Sequence, residues 1–253
     1  MGPVPAGQDT GNAHAKTGKG SHIFMDNHFG MILMQYFCLL FSLCAHEAAH
    51  AAMANWCGDP SARLLGRMTL DPRKHIDPIG TVVMPLLMMF SGIPYLFGWA
   101  KPVPFNPRNL HNYRRDPVLI ALAGPVSNVI IALTCAVVLR IIFLMMTSGV
   151  QIPVMEILLL ITFYMMMVNV VLALFNMIPL PPLDGHHVLY YFLPSRGKAV
   201  LESIGPFGII IAVMFVSQAW LGATMPVAMN FLFKIAAAGV LSDSEIKTIL
   251  NSL

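Results

Sequence analysis

Charge is what this chain has least of. Asp, Glu, Lys and Arg supply only 11% of its 253 residues and 57% are hydrophobic, whereas a soluble domain carries roughly 25% charged residues. A water-solvated globular domain is thereby excluded. The net charge is only +3, scattered among loops, so no nucleic-acid surface is expected. Cysteine is scarce too: Cys38, Cys44, Cys57 and Cys135 lie in or beside apolar stretches without C-x-x-C spacing and read as buried thiols, not a disulfide framework. The two halves show no self-similarity, which removes the inverted-repeat signature of many transporters.

What remains is a series of long apolar runs. They extend from about Phe29 to Trp56, and then over Ile79–Trp99, Pro117–Thr147, Val154–Ile178, Ile204–Leu221 and Met225–Val240. Each is near the roughly 20 residues that cross a bilayer as a helix, although several contain Pro or Gly. The expected fold is an all-α polytopic membrane protein with five to six transmembrane helices, and the lipid bilayer is its first partner. Residues 1–27, polar and Gly-rich, are expected to be a disordered tail. Residues 28–240 would form the functional domain and 241–253 a short cytoplasmic tail.

The first apolar run holds His46-Glu47-Ala48-Ala49-His50. Residues four apart share a helix face, so both imidazoles can be directed at one metal ion with Glu47 beside them. In such an arrangement zinc brings the pKa of a water down to about 7 and the carboxylate takes its proton. Three fixed residues alone are weak evidence of a metal site. Burying two His and a Glu in lipid strengthens it, since a charge at mid-membrane costs roughly 2.5 to 3.5 kcal/mol and a structural role offers little in return.

Two further constellations follow. Gly124-Pro125-Val126-Ser127-Asn128 puts an amide well inside an apolar helix, after small residues that permit close helix contact. Asn176-Met177-Ile178-Pro179-Leu180-Pro181-Pro182-Leu183-Asp184-Gly185-His186-His187 cannot be a continuous helix, and its Asp184 stands where a new helix begins. That position suits an N-cap or a metal ligand, and on its own the N-cap is the more ordinary reading. Arithmetic at the metal favours the ligand, because hydrolytic zinc takes three protein ligands and the first motif supplies two. Asp59, Asp71, Asp77 and Asp116 lie in polar loops, Asp26 precedes the first span, and Glu156 falls at the opposite end of its own. His186 and His187 read as polar neighbours.

HEAAH at 46–50, GPVSN at 124–128 and NMIPLPPLDG at 176–185, in that order, resemble the site-2 proteases, zinc metalloproteases that cut transmembrane helices within the membrane. RKHIDPIGT at 73–81 and FGWAKPVPFNP at 97–107 resemble the small bacterial members, and the likeness covers about Phe29 to Ile211. The resemblance implies an intramembrane zinc endopeptidase with one zinc per chain. His46, His50 and Asp184 would be its ligands, Glu47 its base, and Asn128 a group holding the substrate backbone or developing oxyanion; the alternative for Asn128 is a helix-helix hydrogen bond. Substrates would be transmembrane segments of other proteins, cut in regulated intramembrane proteolysis or in clearance of membrane peptides. The stretch between the first two motifs is too short for an inserted PDZ domain, and no CBS pair is expected. The competing class is a membrane carrier that keeps the metal without hydrolysis, with Glu47 as a spectator or proton carrier.

Charge distribution predicts topology. Arg63, Arg67, Arg73 and Lys74 follow the first span, and Lys101, Arg108, Arg114 and Arg115 follow Ile79–Trp99. Both loops are therefore expected on the cytoplasmic side, with the more weakly basic loop holding Arg196 and Lys198. Ile79–Trp99 would then dip in and return, leaving five crossings with the N-terminus outside and the C-terminus inside; the alternative is a sixth helix. Val82–Phe97 or Trp99–Pro104 is a candidate edge for an unwound substrate. A bacterial inner membrane is the expected location, with the site nearer the cytoplasm.

Overall fold

A computed structural model describes residues 28–90, 98–149, 153–205, 217–240 and 242. The tail expected over 1–27 lies outside them, as does all but residue 242 of that expected over 241–253.

Four described helices are long and apolar enough to cross a membrane: α1 (His28–Trp56), α4 (Asp116–Thr147), α5 (Met155–Asn176) and α8 (Ser217–Ala237). Between them lie α2 (Ser61–Leu64), α3 (Met84–Phe90), α6 (Gly185–Phe192) and α7 (Ser195–Ile204). The protein is an all-α, integral membrane protein. Its helices can be apolar all round because lipid covers what the bundle does not: Phe37, Phe41, Ile130, Val137, Ile141 and Leu158 face outward. Inward, Cys38, Leu139, Met166, Phe233 and Ala236 close the core between all four long helices. All four cysteines are free and buried, as their apolar settings suggest.

Hydrogen bonds set the helix directions. His46 meets Asn128 and His50 meets Ile120, so α4 runs antiparallel to α1. Cys38 meets Ile161 and Ser42 meets Met165, so α5 runs parallel to α1. The indole of Trp220 donates to the Leu174 carbonyl at 2.9 Å, placing the start of α8 at the end of α5. At the other end of the bundle the Arg140 guanidinium donates to the carbonyls of Ile235 and Ala238, capping the C-terminus of α8 with a positive charge.

Among the described residues four helices are long and apolar enough to cross, where five crossings were expected for the chain, and the expected span Ile204–Leu221 lies mostly outside the described residues. One helix runs unbroken through 221–225, where two spans were expected to meet, and α7 ends at Ile204, where the penultimate span was to begin. The hydropathy of 204–240 is nearly continuous, so the division could not be read from it. Residues 206–216 lie outside the described residues. Along the described helices, residues 28 and 240 stand at the same end of the bundle, where opposite ends were expected.

The segment after α2 re-enters. One π-type turn (Pro78–Val83) leads into α3, together far shorter than a span. The chain is back at its starting level by Trp99, whose N–H donates to the Gly80 carbonyl at 3.2 Å and whose carbonyl accepts from Thr81 Oγ1 at 2.8 Å. Lys101 N–H then donates to the His75 carbonyl at 2.8 Å. Entry and exit bonded to each other must share one side, so Ile79–Trp99 is not a sixth crossing.

Candidate metal centre

α1 brings His46 and His50 to one face, one turn apart. α1 ends soon after in a glycine cap: Gly58 has φ +106 and Asp59 N–H reaches back to the Ala54 carbonyl at 2.9 Å. A side chain at Gly58 would strike His111 and the Asn109 carbonyl. α4 supplies the opposite wall, and Gly124 explains how it comes so close. A Cβ there would overlap the imidazoles of both His46 and His50. The small residues of the GPVSN motif thus make room for the two rings, in addition to close helix packing.

The loop 177–184 carries Asp184 into the gap. Gly185 lets that loop close tightly, since a Cβ on it would overlap the Met177 backbone. Asp184 occupies the N-cap position of α6 but makes no capping hydrogen bond. Its oxygens lie 3.1 Å from His46 Nε2 and 3.4 Å from His50 Nε2 instead. Among the described residues, His46, His50 and Asp184 form the group able to hold a metal ion, their candidate ligand atoms all within 4.8 Å of one another.

The donor set itself calls for a cation. His50 Nδ1 is 2.6 Å from the Ile120 carbonyl, which can only accept, so Nδ1 carries the proton. His46 Nδ1 faces Asn128 Oδ1 at 2.6 Å in the same way. In the neutral rings both Nε2 atoms are then bare lone pairs, yet they stand 3.0 Å apart. Asp184 Oδ2, buried beside them, has no hydrogen-bond partner. Three electron-rich atoms converging without a proton are mutually repulsive until a positive ion sits among them. Two imidazole nitrogens and one carboxylate oxygen, with a position left open, fit a hydrolytic zinc.

Glu47 projects beside this group, half-buried. Its Oε2 accepts a hydrogen bond from the backbone N–H of Val103 at 3.0 Å. The loop that supplies this donor is seated in the bundle by Ala100, which packs with Leu39, Leu43 and Leu172. At its far end Asp59, fully buried, accepts from Ser61 Oγ at 2.6 Å, Asn106 N–H at 2.6 Å and Asn109 Nδ2 at 2.8 Å. Burial raises the Asp59 pKa, but these bonds outweigh it and hold the carboxyl below its ordinary value.

Two expectations change in this geometry. Asn128 is fully buried with both ends of its amide engaged, Oδ1 by His46 and Nδ2 by Asn169 Oδ1 at 2.8 Å. It forms the helix-helix hydrogen bond that was the alternative reading, and its side chain has no donor turned toward a substrate. Trp99–Pro104 is likewise poor as an edge for strand addition: the N–H groups of Trp99, Lys101 and Val103 are spent within the protein, and Pro102 and Pro104 have none. The other candidate edge, Val82–Phe97, falls partly outside the described residues. His186 donates from Nδ1 to the Leu183 carbonyl at 2.6 Å, and His187 stacks on it and against Phe105, so neither joins the ligand group. Burial, with neighbouring His186, lowers the His187 pKa to about 4.

Sequence reasoning did not find Val103, Ser42 or Asn169. Val103 acts through its backbone, which leaves no trace in residue type. Ser42 and Asn169 are polar residues inside apolar runs, and that was the available signal.

Comparison with known proteins agrees with this chemistry. The model of peptidase family M50 matches residues 142–218. The chain is 37% identical over 195 residues to a Bacillus subtilis protein named as a zinc metalloprotease, YwhC, covering 75% of this chain and 84% of that one. It is 28% identical over 193 residues to one named as a zinc metalloprotease, Rip2, from Mycobacterium tuberculosis, covering 74% of this chain and 68% of that one. The Mycolicibacterium smegmatis protein of the same name is 24% identical over 192 residues, with the same coverage. No solved structure matches.

Proposed function

Because this chain belongs to peptidase family M50, the site-2 protease family, and is a membrane zinc metalloprotease, we propose that it cuts peptide bonds within the transmembrane segments of other membrane proteins. The observation that carries this is the position of the His46, His50 and Asp184 group. It lies inside a bundle of apolar helices, His46 and His50 standing ten and six residues, or about 15 and 9 Å along the helix, before α1 ends at Trp56.

In this reading His46 Nε2, His50 Nε2 and an Asp184 oxygen hold the zinc. When bound, zinc supplies a Lewis acid for a peptide carbonyl and lowers the pKa of water to about 7. Glu47 is the general base: its carboxylate takes a proton from the attacking water and returns it to the amide nitrogen as the carbon–nitrogen bond breaks. The Val103 N–H occupies one carboxylate oxygen and so fixes which edge of Glu47 faces the reaction. Asn128 orients His46.

The basic residues support a site on the cytoplasmic side of a bacterial inner membrane. Arg63, Arg67, Arg73, Lys74, Lys101, Arg108, Arg114, Arg115, Arg196 and Lys198 all belong to the connections at the site end of the bundle, and the connection between α4 and α5 has none. The substrates are membrane-tethered regulators or leftover membrane peptides.

The test is cleavage of single-span reporter proteins by purified protein in detergent, comparing the unaltered chain with Glu47→Gln at equal zinc content. Cuts within the apolar segment by the unaltered chain alone are expected. Cuts confined to residues outside the reporters' spans, or equal cutting by both, would refute the reading.

A further inference from the structure

Ser42, Asn128 and Asn169 are each fully buried, on α1, α4 and α5 respectively, and they form one hydrogen-bonded chain that ends on His46. Its direction is dictated from the far end. The carbonyl of Met165 can only accept, so the part of the Asn169 amide 2.8 Å from it is the NH2 group. The same NH2 lies 2.8 Å from Ser42 Oγ, whose own proton goes to the Cys38 carbonyl at 2.7 Å, leaving Oγ as an acceptor. Two independent carbonyls thus impose the same orientation, and Asn169 must present Oδ1 to Asn128. Asn128 answers with Nδ2 at 2.8 Å, which turns its own Oδ1 to His46 Nδ1. Turning the Asn128 amide over would set oxygen against oxygen at the Asn169 joint and leave His46 Nδ1 to accept, moving the ring proton to Nε2, where the metal belongs.

Resting on the zinc-peptidase reading, we infer that Asn169, braced by Ser42, is a positioning residue for the metal: it locks the Asn128 amide so that His46 keeps its proton on Nδ1 and offers Nε2 as a ligand. The alternative is that Asn169 serves only to pack α5 against α1 and α4. A carboxylate separates the two. Both oxygens of an aspartate at 128 accept, so Asn128→Asp would hold His46 Nδ1–H with no help from Asn169.

The experiment measures zinc affinity by chelator competition and the visible spectrum of the cobalt-substituted protein. It compares the full chain with Asn169→Leu, which keeps the side-chain volume, Asn169→Ala, which does not, and each in the Asn128→Asp background. Either substitution at 169 is expected to weaken zinc about 10- to 100-fold and to change the cobalt spectrum, in Asn169→Leu and Asn169→Ala alike, although Asn169→Ala lowers the melting temperature of the metal-free protein more. In the Asn128→Asp background the further loss should be under about threefold. Unchanged affinity and spectrum in the 169 variants, or the same fold-loss in both backgrounds, would overturn the inference and leave Asn169 a packing residue. Failure of the underlying reading looks different: His46→Ala would then retain zinc as well as the unaltered chain does.

Discussion

Glu47 and Val103, 56 residues apart, are joined by a hydrogen bond from a backbone N–H to a carboxylate oxygen. The base of the proposed reaction is thus held by a loop that follows the re-entrant segment, and the loop is pinned at both ends: by Lys101 to His75 on one side and by Asn106 to Asp59 on the other.

Substituting Val103 should therefore depend on the backbone and not on the side chain. Val103→Ala is expected to cleave reporters almost normally. Val103→Pro, which deletes the donor, should lower kcat about 10- to 100-fold with zinc content unchanged, since a hydrogen bond to a charged group contributes about 1.5 to 3 kcal/mol. Equal rates for the two variants would show that the bond does not matter to the reaction.

Gly124 admits no side chain between the two imidazoles. Gly124→Ala should push His46 and His50 apart, costing about 1 to 3 kcal/mol of packing and most of the bound zinc. Metal analysis of the purified variant checks this; a full complement of zinc would mean that α4 can retreat.

Asp59 ties the end of α1 to the loop that reaches Glu47. Its folded pKa lies below its unfolded value, so its contribution is fully present above an unfolded pKa of about 3.9 and is lost as pH falls through the folded value. Asp59→Ala, which strands the Asn106 N–H and the Asn109 amide, should cost about 2 kcal/mol and speed amide exchange at Asn106 and Val103. The variant's thermal deficit should shrink when the comparison is repeated below pH 4.

Zinc removal should soften the whole bundle, because it leaves two lone pairs and a carboxylate facing one another in a buried site. Zinc at a hundred times its Kd adds about 2.7 kcal/mol. The melting temperature in detergent should fall by several degrees on chelation and recover with zinc. Asp184→Ala should show no such difference.

Side-reporting fusions after residue 240 and before residue 28 should report the same side of the membrane, and a label at Arg108 the other. Opposite readings for the two ends would contradict the four-helix arrangement.

Much of this was legible in the residues themselves. Apolar runs of 20 and more declare membrane helices because lipid leaves no other way to satisfy a backbone. The helical spacing of His46, Glu47 and His50 offers a metal site with a carboxylate beside it, weak by itself and strengthened by its place in an apolar run. Asp184 and Asn128 stand out because a polar group among apolar runs demands a partner; Ser42 and Asn169 carry the same signal without a motif around them to draw attention.

Only the tertiary structure decided who the partners were. Asp184 could cap α6 or turn to the imidazoles, and the loop closed by Gly185 turned it to the imidazoles. Asn128 could have faced a substrate, and contact with Asn169 turned it to His46. Where hydropathy is continuous, as over 204–240, it does not say how the chain is placed in the bundle, and for the described helix α8 the bonds of Trp220 and Arg140 supplied that answer. Composition and local spacing act through the solvent and along one helix, so they are written in sequence; hydrogen-bond partners and helix directions depend on residues distant in the chain, so they are not.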